Sequence, residues 1–380
     1  MIRVLQILPH LHKGGAEATV MHYYRQIDKT KVQFDFLLIG DHPKSEVETY
    51  YYEEEARSMG AKIFRIPIKS FNPFKFSGYP KIILGVLKEN PEIKVVHCHQ
   101  SAAIVPAIIG LLAMFSGIKI RIAHSHTPHL KKKKTLKSRI EKQMKLLLRG
   151  VTTEWAACSE EAGVYTFGEQ WRTSERRRLI TNARVLSGLL YNEQKRKEIR
   201  EALELDDYFV VSHVGRISKA KNHPFLLNTF KELVKIDERA VLLLIGDGED
   251  RAKIETLVKT LELEKQVRFL GWREDIPLLL QGTDVFAMPS HREGLSGAAI
   301  EAQAAGLPCV FSDTVSPEVK ITENVAFLPI GEGQEKLWAQ KIYSLKEMER
   351  VDTFEQVRRA GYDIQRETEK LQALYLRGKK

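Results

Sequence analysis

The chain has 380 residues, 43% of them hydrophobic and 28% charged, which excludes a disordered polymer and supplies enough apolar side chains for about two domains. Its net charge of +10 calls for an anionic partner: nucleic acid, an acidic membrane surface or a phosphorylated substrate. The three cysteines, Cys98, Cys158 and Cys309, lie in apolar strand-like runs without a C-x-x-C pair, which excludes a disulfide framework and predicts reduced, buried thiols and a cytoplasmic location.

In chain order, "MIRVLQILPH" breaks its apolar residues with Arg3 and Gln6 and reads as a strand rather than a signal peptide. Further β-rich runs follow at "VQFDFLLI", "AKIFRI", "KVVHCH", "KIRIAHS" and "EWAACS", separated by helix-length stretches. This is the βαβ rhythm of a parallel sheet. The uncharged segment Ala102 to Ile118 contains Pro106 and Gly110 and is slightly short for a membrane span, so it is expected to be a buried crossover helix. Residues 169–207 are dense in charge and read as a connection between domains. The alternation then restarts with "YFVVSHVG", "AVLLLIG", "QVRFLG", "DVFAMPS", "LPCVFSD" and "NVAFLPI". The expected fold is α/β, with two doubly wound Rossmann-like domains facing a cleft: residues 1–182, residues 183–360, and a final helix within 361–380 packing back on the first domain.

In such sheets ligands bind in loops at the carboxyl ends of strands. Gly14 and Gly15 precede a helix after the first strand, where free N–H groups could meet a phosphate or a sugar hydroxyl. No G-x-G-x-x-G fingerprint is present. In "HVGRISKAKNHPFLL", the strand ends at Gly215, and Arg216 and Lys221 precede a helix expected from about Asn222. A planar guanidinium and a mobile ammonium there suit a diphosphate, although two solvated loop charges would look the same. In "PSHREGLSGAAIEAQAAG", the small residues Gly294, Ser296, Gly297 and Ala298 allow a ligand close to a helix start. Glu293 is expected before that helix and Glu301 about two turns inside it. Eight helical residues span on the order of 12 Å, more than the roughly 5–9.5 Å between paired glycosidase carboxylates. The two glutamates therefore read as separate grips on one extended ligand.

Together, "GGAE", "HSHT", "VGRISKAKNH", "IGDGED", "FLGWREDIP", "PSHREGL" and "IEAQAAGLPCV" make the chain resemble the retaining glycosyltransferases of family 4, which have the GT-B fold. The likeness extends over nearly the whole chain and is closest to bacterial enzymes of capsular or extracellular polysaccharide. The resemblance implies that Arg216 and Lys221 hold the nucleotide diphosphate, that Glu301 accepts from ribose hydroxyls, and that Glu293 accepts from the donor sugar. Gly215 and the segment Gly294–Leu295–Ser296–Gly297 would form the cradle. Gly271, Trp272 and Arg273 would meet the base, expected to be uracil, and Gly15 and His126 would contact phosphate or transferred sugar from the facing domain. It further implies a nucleotide-sugar donor, a glycan acceptor that is lipid-linked, no cofactor and no essential metal. One departure stands out. Relatives often carry Asn-Gly-Ile/Val-Asp where this chain has "TNARVLSG", so Ala183 and Arg184 replace the glycine and its apolar neighbour.

His97, His99, His124 and His126 resemble metal ligands at first sight, but no Cys/His pair completes a zinc-finger spacing, and histidines lining strand ends are expected. From Arg121 to Arg149 ten Lys or Arg stand against one acid, Glu141. Leu136, Ile140, Met144 and Leu147 follow a helical period. This segment is either a core-facing helix with a solvated basic face or a docking element for an anionic membrane surface, which would place the protein peripherally on the cytoplasmic face. Two other functions fit less well. A nicotinamide oxidoreductase should show the glycine fingerprint, and a nucleic-acid-binding protein should interleave aromatics with its basic run; no nucleic-acid partner is expected.

Overall fold

The computed structural model describes residues 1–12, 14–40, 50–67, 79–99, 103–126 and 136–379. The chain divides into two compact units, one formed by Met1–Ala183 with Ile364–Lys380, the other by Arg184–Asp363. Both are doubly wound parallel sheets with interleaved helices, the Rossmann-like pair expected.

The first unit contains β1 (Ile2–Leu8), α1 (Gly15–Gln26), β2 (Val32–Gly40), α2 (Glu53–Ser58), β3 (Ile63–Pro67), α3 (Tyr79–Glu89), β4 (Ile93–Cys98), α4 (Ile104–Phe115), β5 (Ile120–Ser125), α5 (Leu136–Val151), β6 (Glu154–Ala157), α6 (Glu160–Phe167) and β7 (Arg177–Leu179). The strand order is β3-β2-β1-β4-β5-β6-β7. Strands covered on both faces carry apolar residues on both, and β1 divides its own between two cores. Val4 and Leu8 join Phe34, Phe36 and Tyr24 on one face; Leu5 and Ile7 join Leu37, Val96 and Ile109 on the other. The uncharged segment forms the crossover helix α4, with Val105, Ala107, Ile109 and Ala113 among its buried residues. Among the described residues no helix is long and apolar enough to cross a membrane.

The second unit contains α7 (Glu193–Ala202), β8 (Phe209–Val214), α8 (His223–Val234), β9 (Ala240–Ile245), α9 (Arg251–Thr260), β10 (Val267–Gly271), α10 (Ile276–Gly282), β11 (Val285–Met288), α11 (Gly297–Ala304), β12 (Cys309–Ser312), β13 (Val325–Leu328), α12 (Glu335–Ser344) and α13 (Phe354–Arg359). Its order is β10-β9-β8-β11-β12-β13. The last helix, α14 (Ile364–Leu376), belongs to the first unit: Ile364, Leu371, Leu374 and Tyr375 lie in the same core as Phe34.

Two expectations need correcting. Residues 169–207 are not merely a connection, since they contain β7 and α7. β7 is an edge strand of sequence Arg-Arg-Leu, and an edge strand needs no apolar run. Glu301 is only one turn inside α11, because the helix starts at Gly297 and the residues from Glu293 to Ser296 are loop. The 12 Å helical separation therefore does not apply.

Candidate active site

In each sheet the winding reverses where two neighbouring strands send their connections opposite ways, at β1/β4 and at β8/β11. The loops at the carboxyl ends of such strands form the binding crevice of doubly wound folds. In the second unit these loops are the ones after β8 and β11, where the sequence places Arg216, Lys221 and Glu293.

The loop after β8 is held by backbone contacts that only glycine allows. Gly246 has φ +137°, and a Cβ there would lie 2.1 Å from the Gly215 carbonyl oxygen; a Cβ on Gly248 would lie 2.3 Å from that of Ile217. The loop after β9 can thus lie against the loop after β8, with Gly215 N–H donating to Ile245 O (2.9 Å) and Ile217 N–H to Asp247 O (3.0 Å). Lys219–Lys221 then form a 3₁₀ turn, and Asn222 takes the left-handed conformation (φ 55°) before α8. His291 N–H donates to Ala220 O at 2.9 Å and ties in the loop after β11.

This scaffold brings Lys221 to Glu293, with Nζ 2.5 Å from Oε1 and both side chains largely buried. The Lys221 stem also fills the space beside Gly215, where a Cβ would meet Cε at 2.9 Å. Arg216 goes elsewhere: it is exposed and pairs with Glu249 at 3.0 Å. The two cations thus share a loop but not a partner. After Glu293 the chain passes Gly294, Leu295 and Ser296 into α11, and Leu295 and Ser296 are buried. Glu301 Oε1 accepts from Arg184 Nε at 2.6 Å. Both glutamates singled out in the sequence therefore hold a cation, and each holds a different one.

Gly271, at the end of β10, has φ +66° and accepts at its carbonyl from Gly246 N–H (2.7 Å). Trp272 is exposed beside it. Arg273 makes a two-pronged pair with Asp275, at 2.7 and 2.5 Å.

Below the Lys221 loop, His213 and His223 meet edge to face at 4.9 Å, both fully buried. Burial and the neighbouring Lys221 charge push His223 down to about 4. His213 is also well below its usual range, and its Nδ1 contacts Ala287 O at 2.8 Å.

In the first unit, Gly15 opens α1 with open space where a Cβ would stand, whereas one on Gly14 would strike the Glu17 carboxylate at 2.1 Å. Of the two glycines, Gly14 is the one with a close neighbour, the tip of the Glu17 side chain. Glu17 is buried, which raises its carboxyl, and lies 3.2 Å from His10. The four histidines at the carboxyl ends of β4 and β5 form two stacks, His97 on His99 (4.1 Å) and His124 on His126 (4.0 Å). Gln6 Oε1 accepts from His99 Nε2 (2.8 Å), which leaves His99 Nδ1 to accept from His126 Nε2 (2.9 Å). His97 bridges Tyr375 Oη (2.7 Å) and His124 (3.2 Å). Burial keeps all four neutral, His126 down to about 4. Nitrogens of His97, His99 and His124 lie within 4.8 Å of one another, a spacing that invites comparison with a metal site. Stacked rings direct their in-plane lone pairs side by side rather than to one point, so the arrangement suits hydrogen bonding between imidazoles better than tetrahedral coordination.

Sequence reasoning missed Arg184 as the partner of Glu301, and Gly246 and Gly248 as the residues that seat the Lys221 loop. For Arg184 the only signal was its departure from the family pattern.

The family model "Glycosyl transferases group 1" matches residues 195–364, most of the second unit. EpsF of Bacillus subtilis (strain 168), a glycosyltransferase by name, is 36% identical over 320 residues, covering 83% of this chain and 80% of its own. CapH of Staphylococcus aureus, named as a capsular polysaccharide biosynthesis glycosyltransferase, is 24% identical over 99% of both chains. Among solved structures, Anabaena HepE in complex with UDP superposes with a TM-score of 0.77 at 16% identity, over 97% of this chain and 98% of its own. With a group 1 domain in its second unit and a relative of this identity over four-fifths of both chains, the chain belongs to the glycosyltransferases of GT-B fold.

Proposed function

We propose that this glycosyltransferase is a retaining, family 4 enzyme that moves a hexosyl or N-acetylhexosaminyl group from a UDP-sugar to a lipid-linked glycan in capsular or extracellular polysaccharide synthesis. The observation that carries the reading is the paired arrangement at the β8/β11 edge, Lys221 on Glu293 and Arg184 on Glu301, around the start of α11. Glu301 accepts from the ribose and Glu293 from the donor sugar. The diphosphate lies between them, near Lys221, Arg216 and the amides of Gly294 to Gly297. HepE, of the same fold, has been crystallised with UDP and with UDP-glucose, and CapH carries a capsular name.

Breaking the bond between the sugar and the diphosphate adds a third negative charge to the departing diphosphate, the second on its terminal phosphate. Lys221, Arg216 and the positive end of α11 stabilise that charge where it develops, without an essential metal in this reading. The neutral His126, with its Nε2 proton committed to His99, offers Nδ1 as an acceptor to a sugar hydroxyl. The basic surface of α5 would hold the enzyme at the cytoplasmic face of the membrane that carries the acceptor. Lys131 to Lys134, the densest part of the basic segment, lie outside the described residues.

The test is UDP release from a panel of UDP-sugars with lipid-diphosphate-linked acceptors, with and without EDTA, and NMR of the product's anomeric proton. No UDP release from any donor, or an inverted anomeric centre, overturns the reading.

A further inference from the structure

Arg184 stands at the first position of the second unit, where the resembling family carries an apolar residue. Its main chain is fixed by the far end of the same unit: Arg184 N–H donates to Tyr362 O at 2.8 Å, and Arg184 and Asp363 form an isolated parallel bridge. Its side chain is buried, with 8% of the residue exposed. Nε donates to Glu301 Oε1 at 2.6 Å. The outer nitrogen Nη2 lies over Gly297, so close that a Cβ there would fall 1.9 Å from it. Gly297 and Glu301 are one turn apart on α11 and thus on the same helix face. One planar guanidinium therefore spans that face, from the carboxylate to the helix's first residue.

Gly297 consequently has a different reason to be glycine from the one the sequence suggests. The space beside it is occupied by the arginine of this same chain, and a methyl group there would push the guanidinium off. A carboxylate four residues into a helix, on a side chain with three rotatable bonds, would otherwise sample several rotamers. A fork donor held by its own backbone and by a glycine slot selects one of them.

We propose that Arg184 is a positioning residue for nucleotide binding: it grips Oε1 of Glu301 and so presents Oε2 to the ribose hydroxyls of the donor. The proposal rests on the assignment of Glu301 to the ribose. It makes ribose recognition in this chain depend on an Arg184–Gly297–Glu301 unit, with Arg184 itself touching no substrate.

The test is calorimetric titration of UDP and of uridine into wild type, Arg184→Met, Arg184→Lys, Gly297→Ala, Glu301→Gln and the double variant Arg184→Met/Glu301→Gln, each checked by thermal melting. Arg184→Met should weaken UDP and uridine alike by about tenfold, the worth of one hydrogen bond to a charged group. The donor KM should rise by the same factor while kcat stays within about twofold. Arg184→Lys should recover only part of the loss, because an ammonium cannot span both contacts. The double variant should bind no worse than Glu301→Gln alone. If Arg184→Met does not fold, Gly297→Ala takes its place, displacing the guanidinium without removing the charge. Wild type that binds no UDP overturns the glycosyltransferase assignment of the site and this proposal with it. Wild type that binds UDP and loses it in Glu301→Gln, with Arg184→Met and Gly297→Ala unchanged, overturns this proposal alone.

Discussion

Lys221 Nζ lies 2.5 Å from Glu293 Oε1, on two loops that follow the neighbouring strands β8 and β11. The ammonium is therefore held at the switch edge of the sheet by a carboxylate that is itself a proposed sugar ligand. Replacing Lys221 with alanine removes the charge proposed to face the leaving diphosphate. Loss of one group aimed at developing charge costs about 2.7–4 kcal/mol, or roughly 10²–10³ in turnover. Single-turnover kinetics at saturating donor measures this, and turnover near wild type would end the assignment.

The two carboxylates should separate by ligand. The ribose is present in both UDP and the donor, so Glu301→Gln should weaken both. The transferred sugar is present only in the donor, so Glu293→Gln should weaken the donor and leave UDP nearly unchanged. Its release of Lys221 gives a further reason for UDP affinity to survive. Calorimetry with UDP and a non-hydrolysable donor compares the two variants, and equal losses for both ligands in both would rule out separate grips.

Stability should fall on acidification because of histidines that the catalytic scheme leaves unused. His223 is fully buried and its pKa is depressed to about 4 by burial and by Lys221. The unfolded chain takes up that proton first, near pH 6.5. The neutral form's contribution is thus fully present above about pH 6.5 and is lost progressively as pH falls towards 4, to a total of about 3 kcal/mol. His213 acts in the same direction. Melting temperature followed from pH 7.5 to 4.5 should drop less in His223→Gln than in wild type. Parallel curves would mean that His223 titrates normally.

How much of this could be read from the sequence depended on how local the determinant is. Strands buried on both faces, such as "AVLLLI", need unbroken apolar runs, and the glycines and acids that follow mark their loops. Those strands, and the candidate residues Lys221, Glu293 and Glu301, were legible from short windows. β7 was not, since an edge strand of Arg-Arg-Leu carries no apolar run. The partner of Glu301 was not legible either. Arg184 is 117 residues away in the chain, and nothing local to either residue signals the contact. The start of α11 was misjudged because Gly, Ser and Glu near a helix start are as compatible with loop as with helix.

The last prediction concerns α5. Met144 and Leu147 pack against the core around Trp155 and Phe167, and Glu141 is buried near Tyr165 Oη at 3.3 Å. This face of the helix is structural, as the core-facing reading requires. Leu146 is exposed, however, on a face that also exposes Arg139 and Lys142. Apolar side chains among cations are what an interfacial helix presents to an anionic bilayer. Each near-surface Lys or Arg contributes about 1 kcal/mol, so Arg139→Gln/Lys142→Gln should lose about 2 kcal/mol of liposome affinity. Changing Lys131 to Lys134 to glutamine should lose roughly 4 kcal/mol. Both losses should shrink as the Debye length falls towards about 3 Å at 1 M salt. Leu146→Ser should weaken binding at every salt concentration, because its contribution is apolar. None of these substitutions should change folding or UDP affinity. Sedimentation with phosphatidylserine-containing and neutral vesicles at low and high salt measures all three variants. Sedimentation equal to wild type in every variant at low salt would leave this face of α5 as ordinary solvated surface.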